Sequence, residues 1–288
     1  MTALLSVESL SVTYGRKRSR RHETPPTVSG VSFEVDAGAA VGIVGESGSG
    51  KSTTARAIVG LLPSDGEIRL NGELLSSPRP AAVRRKMQMV FQDPTSSLNP
   101  SIRCDRALMQ VLPDSFADAD ARRARAHELL EQVRLPSRLF SAWPSELSGG
   151  QRQRVAIARA LATDPEVLVA DEATSALDVS VQATILDLLT TLRAETGIGL
   201  VFISHDLAVV RATCDDVLVM KDGLVVEQGD VETVYGSPAQ PYTRQLIDAV
   251  PTVDDARPRR LRHKQETVPR WVRPDSGTEP VTATSTTQ

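Results

Sequence analysis

Two clusters of residues in this chain have the types and spacing that suit phosphate chemistry. Gly45-Glu46-Ser47-Gly48-Ser49-Gly50-Lys51-Ser52 follows a strand-like apolar run, Ala40 to Val44, and precedes a stretch of helical character, Thr53 to Leu61. Glycines at these positions let the backbone curl so that successive N–H groups face one anion, and a helix N-terminus adds its dipole. Glycine, four residues, then Gly-Lys-Ser assigns Lys51 to the β and γ phosphates of a nucleotide and Ser52 to Mg²⁺. The second cluster is Asp171-Glu172, at the end of the apolar run Glu166 to Ala170. Ligands of parallel α/β sheets sit outside the carboxyl ends of strands, so these acids are expected beside the glycine-rich loop. Asp171 would reach Mg²⁺ through a water. Glu172 would accept a proton from the water that attacks the terminal phosphate, an assistance of about 10²- to 10⁴-fold.

Positioning these groups requires a sheet whose strands end together. Up to about residue 75 the chain is strand-rich, with short runs at Leu4 to Val12 and Val31 to Val35 separated by a basic, Pro-containing loop, Arg16 to Thr27. Asn71-Gly72 between two short apolar runs signals a hairpin turn. From about 93 to 147 the texture changes: Pro94, Pro100 and Pro113 punctuate it, and Ala121 to Leu135 has helical spacing with Leu129, Leu130 and Val133 on one side. This reads as an inserted helical lobe. Beyond it, helices from about 149, 179 and 206 alternate with strands 166–170, 199–203, 216–220 and 223–228, which implies a mostly parallel sheet. Pro241 to Ala249 is expected to form a last short helix. After Pro251 the Pro- and Arg-rich tail reads as a loosely ordered extension, giving domains 1–251 and 252–288.

Composition narrows the classes. Of 288 residues, 33 are basic and 36 acidic, a net charge of −3, so no bulk field favours nucleic acid. The longest apolar runs are strand-length, well short of the roughly 20 residues that a membrane span needs. The N-terminal alternation lacks the pattern of a secretory signal. Cys104 and Cys214 are too few and too far apart for a disulfide framework or a zinc site. A cytoplasmic setting is expected, with membrane contact made through partners.

Leu147-Ser148-Gly149-Gly150-Gln151 carries the family signal. Ser148 reads as a helix cap, and the two glycines leave first-turn N–H groups open to an anion. An LSGGQ string arises by chance in fewer than about one chain in a thousand, and here it lies some 20 residues before the strand ending in Asp171-Glu172. From about residue 4 to 251 the chain resembles the ATP-binding subunits of ABC transporters. That resemblance implies an α/β fold: a P-loop NTPase core with a mostly parallel sheet, an N-terminal antiparallel β subdomain and an inserted α-helical lobe. It implies ATP and Mg²⁺ as ligands, with Thr53 joining the loop residues around the nucleotide. It also implies that Ser148, Gly149, Gly150 and Gln151 cap the γ-phosphate held by an opposite cassette, so that two copies sandwich two ATP molecules head to tail.

Other positions match the family residue by residue. Tyr14 resembles the aromatic residue that stacks on adenine. Gln92 resembles the glutamine that senses Mg²⁺ and links to the membrane subunit. Asp178 is similar to the key member of the loop crossing the dimer interface, and His205 to the switch histidine on the γ-phosphate. FQDPTSSLNP, DEATSALDVSVQATILDLL and SPAQPYTRQLIDAVP resemble importers of dipeptides, oligopeptides and nickel. Implied partners are a second cassette, the same or different, two transmembrane permease subunits and, indirectly, an extracytoplasmic solute-binding protein, at the cytoplasmic face of the membrane. An accessory cassette of a phosphonate-degrading complex and a soluble ABC ATPase are the alternatives. Ala173 stands where the family usually has proline, which is expected to loosen the turn after the base. The tail lacks the cysteines that hold an iron–sulfur cluster in some relatives, so none is expected. Ser101 to Asp114 (SIRCDRALMQVLPD) departs from the family pattern; within Asp93 to about Asp114, Leu98, Ile102 and Leu108 read as apolar anchors of a groove for the membrane subunit.

Overall fold

The computed structural model describes residues 3–13, 26–93, 97–113, 116, 118–175 and 177–249. Tyr14 and the tail after residue 249 lie outside them. The chain divides into Met1–Thr252 and Val253–Gln288.

Two sheets organise the first unit. One is antiparallel, in the order β2-β1-β4-β5, from β1 (Leu5–Val12), β2 (Val28–Val35), β4 (Asp65–Leu70) and β5 (Glu73–Leu74). The β4–β5 turn is the expected hairpin: Asn71 and Gly72 both have positive φ, 52° and 79°, as a two-residue turn matched to strand twist demands. The second sheet has the order β10-β9-β3-β8-β7-β6, from β3 (Ala40–Val44), β6 (Met87–Val90), β7 (Val167–Asp171), β8 (Gly199–Ser204), β9 (Asp216–Lys221) and β10 (Leu224–Asp230). It is parallel except for β10, which returns antiparallel beside β9. This is the architecture expected from the alternating units and the family likeness.

Strands buried on both faces explain the continuous apolar runs. Val167, Val169, Val201, Ile203, Val41 and Ile43 pack toward the antiparallel sheet and helix α1 (Lys51–Ile58). Their neighbours one residue on, including Leu168, Ala170, Leu200 and Phe202, pack into the opposite layer. That layer includes helices α5 (Gly149–Leu161) and α6 (Val179–Thr196). Period-two alternation thus feeds two cores from one sheet.

Between β6 and α5 lies the helical lobe, with short helices α2 (Ala81–Lys86) just before β6 and α3 (Cys104–Met109) and α4 (Ala119–Gln132) inside it. Asp118 caps α4 by accepting from the Ala121 N–H at 3.3 Å. The Arg122 guanidinium donates to the carbonyls of Phe116, Met109 and Pro113, tying α4 to the connector before it. Leu129, Leu130 and Val133 are buried as their spacing predicts. Leu98 and Leu108 correct an expectation: both sit in the hydrophobic core, Leu98 only 4% exposed, because the segment folds back onto the lobe. Ile102 alone of the three is half-exposed. The last helices are α7 (Leu207–Thr213), α8 (Val231–Gly236) and α9 (Pro241–Asp248). No helix among the described residues is long and apolar enough to cross a membrane.

Candidate functional site

Strand register brings the candidate residues together. Val90 pairs with Ala170 and Asp171 with Ile203, all in parallel, and Val44 pairs with Ser204. Two residues past the Val90–Ala170 pair come Gln92 and Glu172. One residue past the Val44–Ser204 pair come Gly45 and His205. Four adjacent strand ends therefore deliver the loop, the histidine, the acid pair and the glutamine to one edge, where ligands of such sheets bind.

The loop itself is shaped by its glycines. A Cβ on Gly45 would overlap the Met220 carbonyl, and one on Gly50 (φ 101°) would lie 2.8 Å from Val28 Cγ2. The Ser49 N–H donates to the Glu46 carbonyl at 3.2 Å, and the Gly223 N–H to the Ser49 carbonyl at 3.1 Å. No side chain caps the start of α1, and its first turn carries no acid, which leaves the amide dipoles directed at the loop. Lys51 folds over the loop entrance, its Nζ donating to Gly45 O at 2.7 Å and Glu46 O at 2.8 Å. Burial pushes its ammonium below the usual lysine range, while the charges of Glu172, Asp171 and Glu46 work against that. A half-desolvated cation beside exposed amides gains by meeting an anion.

Ser52 donates to Asp171 Oδ1 at 2.7 Å. Asp171 is 3% exposed; burial raises its carboxyl above the ordinary range, and the Ser52 hydrogen bond only partly offsets this. A hydroxyl and a carboxylate are the hard oxygen donors that Mg²⁺ prefers, and a bound cation would relieve the buried charge, so the residues fit that ion. Among the described residues no group of three or more His, Cys, Asp or Glu could hold a metal ion.

Glu172 has φ 46°, the left-handed region that a non-glycine residue occupies at a cost of about 1 kcal/mol or more. Its N–H donates to Ile203 O at 3.1 Å, and its carbonyl accepts from Ser175 N–H at 3.1 Å and Ser175 Oγ at 3.0 Å. Ala173 is buried inside this turn. Gln92 Nε2 donates to Glu172 Oε2 at 2.9 Å and to Ser175 Oγ at 3.2 Å, which ties it to the acid after Asp171. His205 is exposed at the end of β8, and the next residue, Asp206, caps α7 through the N–H groups of Ala208 and Val209.

A second corner holds the other candidates. Ser148 and Gln151 form a reciprocal capping box at the start of α5, with bonds of 3.3 and 2.9 Å. A Cβ on Gly150 would overlap Val181, and one on Gly149 would lie 3.4 Å from Leu177. Asp178 caps α6, accepting from Val181 N–H at 2.9 Å and Ser180 Oγ at 2.7 Å, and these bonds lower its carboxyl below the usual range. Val179, next in line, is 82% exposed. Within one chain the Ser148 corner is thus packed on the Asp178 turn.

Two contributors escaped the sequence reading. Ser175 carries no local signal of a role, although its hydroxyl joins Gln92 to the Glu172 carbonyl. Tyr242 lies in the expected last helix, and its hydroxyl accepts from the Glu46 N–H at 3.1 Å.

Comparison with known proteins agrees with this geometry. The ABC transporter family model matches residues 28–175, and that of the oligopeptide/dipeptide transporter C-terminal region matches residues 226–278. A relative from Sinorhizobium fredii, named for peptide ABC transport and ATP binding, is 46% identical over 285 residues, covering 96% of this chain and 80% of its own. One from Brucella ovis, named for peptide import and ATP binding, is 44% identical over 265 residues, covering 90% and 82%. Among solved structures, a dimeric ATP-binding cassette in a post-hydrolysis state with ADP and Pi aligns with TM-score 0.68 at 32% identity, covering 79% of this chain and 98% of that one. A component of an ABC transporter complex from Clostridium perfringens aligns with TM-score 0.71 at 29% identity, covering 82% and 92%. The chain belongs to the ABC transporter family and is one of its ATP-hydrolysing cassettes.

Proposed function

We propose that this chain hydrolyses ATP to power import of peptides, or of a related small solute such as nickel, through a membrane complex. The Ser52–Asp171 hydrogen bond of 2.7 Å beside the buried Lys51 is the observation that carries the nucleotide chemistry. The match of residues 226–278 to the oligopeptide/dipeptide transporter C-terminal region favours peptide-type import over the phosphonate-complex and soluble readings.

The roles follow from position. Loop amides from Gly45 to Thr53 and the Lys51 ammonium neutralise and orient the phosphates, and Tyr14 covers the adenine. Ser52 and Asp171, with Gln92 nearby, hold Mg²⁺, which when bound supplies charge neutralisation at the phosphates. Glu172 takes the proton of the attacking water at its carboxylate. Its backbone, pinned by Ile203 and Ser175, and its side chain, held by Gln92, keep that oxygen aimed. His205 supports the γ-phosphate from the neighbouring strand end. Ser148, Gly149, Gly150, Gln151 and Asp178 serve the nucleotide of a second cassette; the exposed Val179 beside Asp178 supports a surface meant to be covered there.

The coupling partner is a pair of permease subunits, with the chain peripheral at the cytoplasmic face, one cassette to residue 251 and an extension from 252 to 288. A groove of about 390 Å³ lined by Leu98, Pro100, Ile102, Ala107, Gln110 and Arg159 lies a few residues beyond Gln92. Its lining mixes apolar (Leu98, Ile102, Ala107) and polar (Gln110, Arg159) side chains, which suits a short amphipathic helix from a membrane subunit. Co-purification of the full complex, followed by uptake of labelled oligopeptide into proteoliposomes loaded with Mg-ATP, tests the reading. ATP hydrolysis by the complex with no uptake of peptide or nickel would refute the cargo class.

A further inference from the structure

The helix α9, which begins Pro241-Tyr242-Thr243, is tied down at its start. Before the helix, the N–H groups of Ala239 and Gln240 donate to the two carboxylate oxygens of Glu227 on β10, at 2.8 and 3.0 Å. At the second residue of the helix, Tyr242 is buried, and its hydroxyl accepts from the Glu46 N–H of the glycine-rich loop at 3.1 Å, across 196 residues of sequence. Lys221 Nζ stands 4.8 Å from the Tyr242 ring centroid, a cation–π contact that holds the ring in place. Lys221 follows Met220, whose carbonyl blocks any side chain at Gly45. Strand β9 and α9 therefore brace two adjacent loop residues, β9 against Gly45 and α9 on Glu46.

We infer that Tyr242 is a positioning residue for the phosphate loop, so that the C-terminal region, which the 226–278 match places in the oligopeptide/dipeptide type, sets nucleotide affinity from behind the site. This rests on the ATPase reading above. Glu46 uses its N–H to hold the loop's shape, and the loop's remaining amides and Lys51 are left to meet the anion. Without the Tyr242 hydroxyl the Glu46 amide loses its partner and the curl slackens. Loop amides hold the phosphates before and during reaction alike, so the loss should fall on binding rather than on the chemical step.

The test is Tyr242→Phe, which keeps the ring and its packing, in the full chain assembled with its complex. The expected result is a three- to tenfold rise in KM for Mg-ATP with kcat within twofold and an unchanged melting temperature. Amide hydrogen exchange over residues 45–50 should be faster in the variant. Unchanged KM, or a fall in kcat alone, would overturn the inference. If the wild-type complex hydrolysed no ATP, the ATPase reading would fall, yet the exchange comparison would still decide whether Tyr242 braces the loop: equal exchange in both chains says that it does not.

Discussion

The Gln92 side-chain amide donates to the Glu172 carboxylate at 2.9 Å, so the residue that leads into the helical lobe holds the proposed base. The same amide reaches Ser175 Oγ at 3.2 Å, and that hydroxyl donates to the Glu172 carbonyl at 3.0 Å. A displacement of Gln92 would therefore act directly on the proposed base.

Gln92→Ala should cut kcat about tenfold while leaving KM for ATP within twofold, because it frees the carboxylate without touching loop or lysine. Steady-state phosphate release measures both constants. A rise in KM with kcat intact would place Gln92 in binding instead.

Glu172→Gln keeps the shape of the side chain but cannot take a proton. Turnover should fall by about 10²- to 10⁴-fold while Mg-ATP binding persists and, with a like-altered partner cassette, a closed dimer accumulates on gel filtration. Hydrolysis near the wild-type rate would remove Glu172 from the mechanism.

Asp171 links the site to stability. Its folded pKa is raised by burial, so its contribution to stability is full below the ordinary carboxylate range and is lost as pH rises through the raised value. At neutral pH the buried charge is a cost. Asp171→Asn should melt higher than wild type at pH 7 to 8 in the absence of nucleotide, with the gap closing toward pH 4, and should lose Mg²⁺-dependent hydrolysis by at least about a hundredfold. Scanning calorimetry across pH decides it: a gap that widens as pH falls contradicts the sign.

Lys51→Ala should weaken ATP binding by at least about tenfold, since it removes a cation folded over the loop. His205→Ala, at an exposed strand end, should keep most of the affinity and slow hydrolysis. Equal losses of affinity in a fluorescent-nucleotide titration would contradict the division.

Leu98 and Ile102 now separate where the sequence joined them. Leu98→Asp puts a charge in the core and should destabilise by about 3 kcal/mol or more, seen as lost expression or a lowered melting temperature. Ile102→Asp, on the groove, should leave the fold and basal hydrolysis near normal while reducing co-purification with the permease subunits. Unimpaired assembly and uptake by the Ile102 variant would move the docking surface elsewhere.

The fold was legible because β3, β7 and β8 are short apolar runs alternating with helix signals, and the loop was legible because few other glycine patterns end in Lys-Ser. Asp171 and Glu172 were readable from their place after such a run. Less visible were contacts that cross the chain. Nothing local to SPAQPYTRQ says that Tyr242 meets Glu46, and nothing in FQDP says that the Gln92 amide lies on Glu172; both follow from strand register and helix packing. Leu98 was misjudged because Pro, Ser and Asn around it read as surface, while one leucine in a polar string can still be the residue that the lobe buries.

The left-handed backbone of Glu172 (φ 46°) bears on any attempt to improve this protein in the laboratory. Glycine reaches that conformation without steric penalty, so Glu172→Gly relieves local strain and deletes the base in one step. A mutant library selected for heat tolerance alone would be drawn toward such changes, gaining robustness while losing turnover. Directed evolution on this scaffold therefore needs ATP hydrolysis scored in the same round as survival, and recovery of active, heat-selected clones carrying glycine at this position would show that Glu172 is not the base.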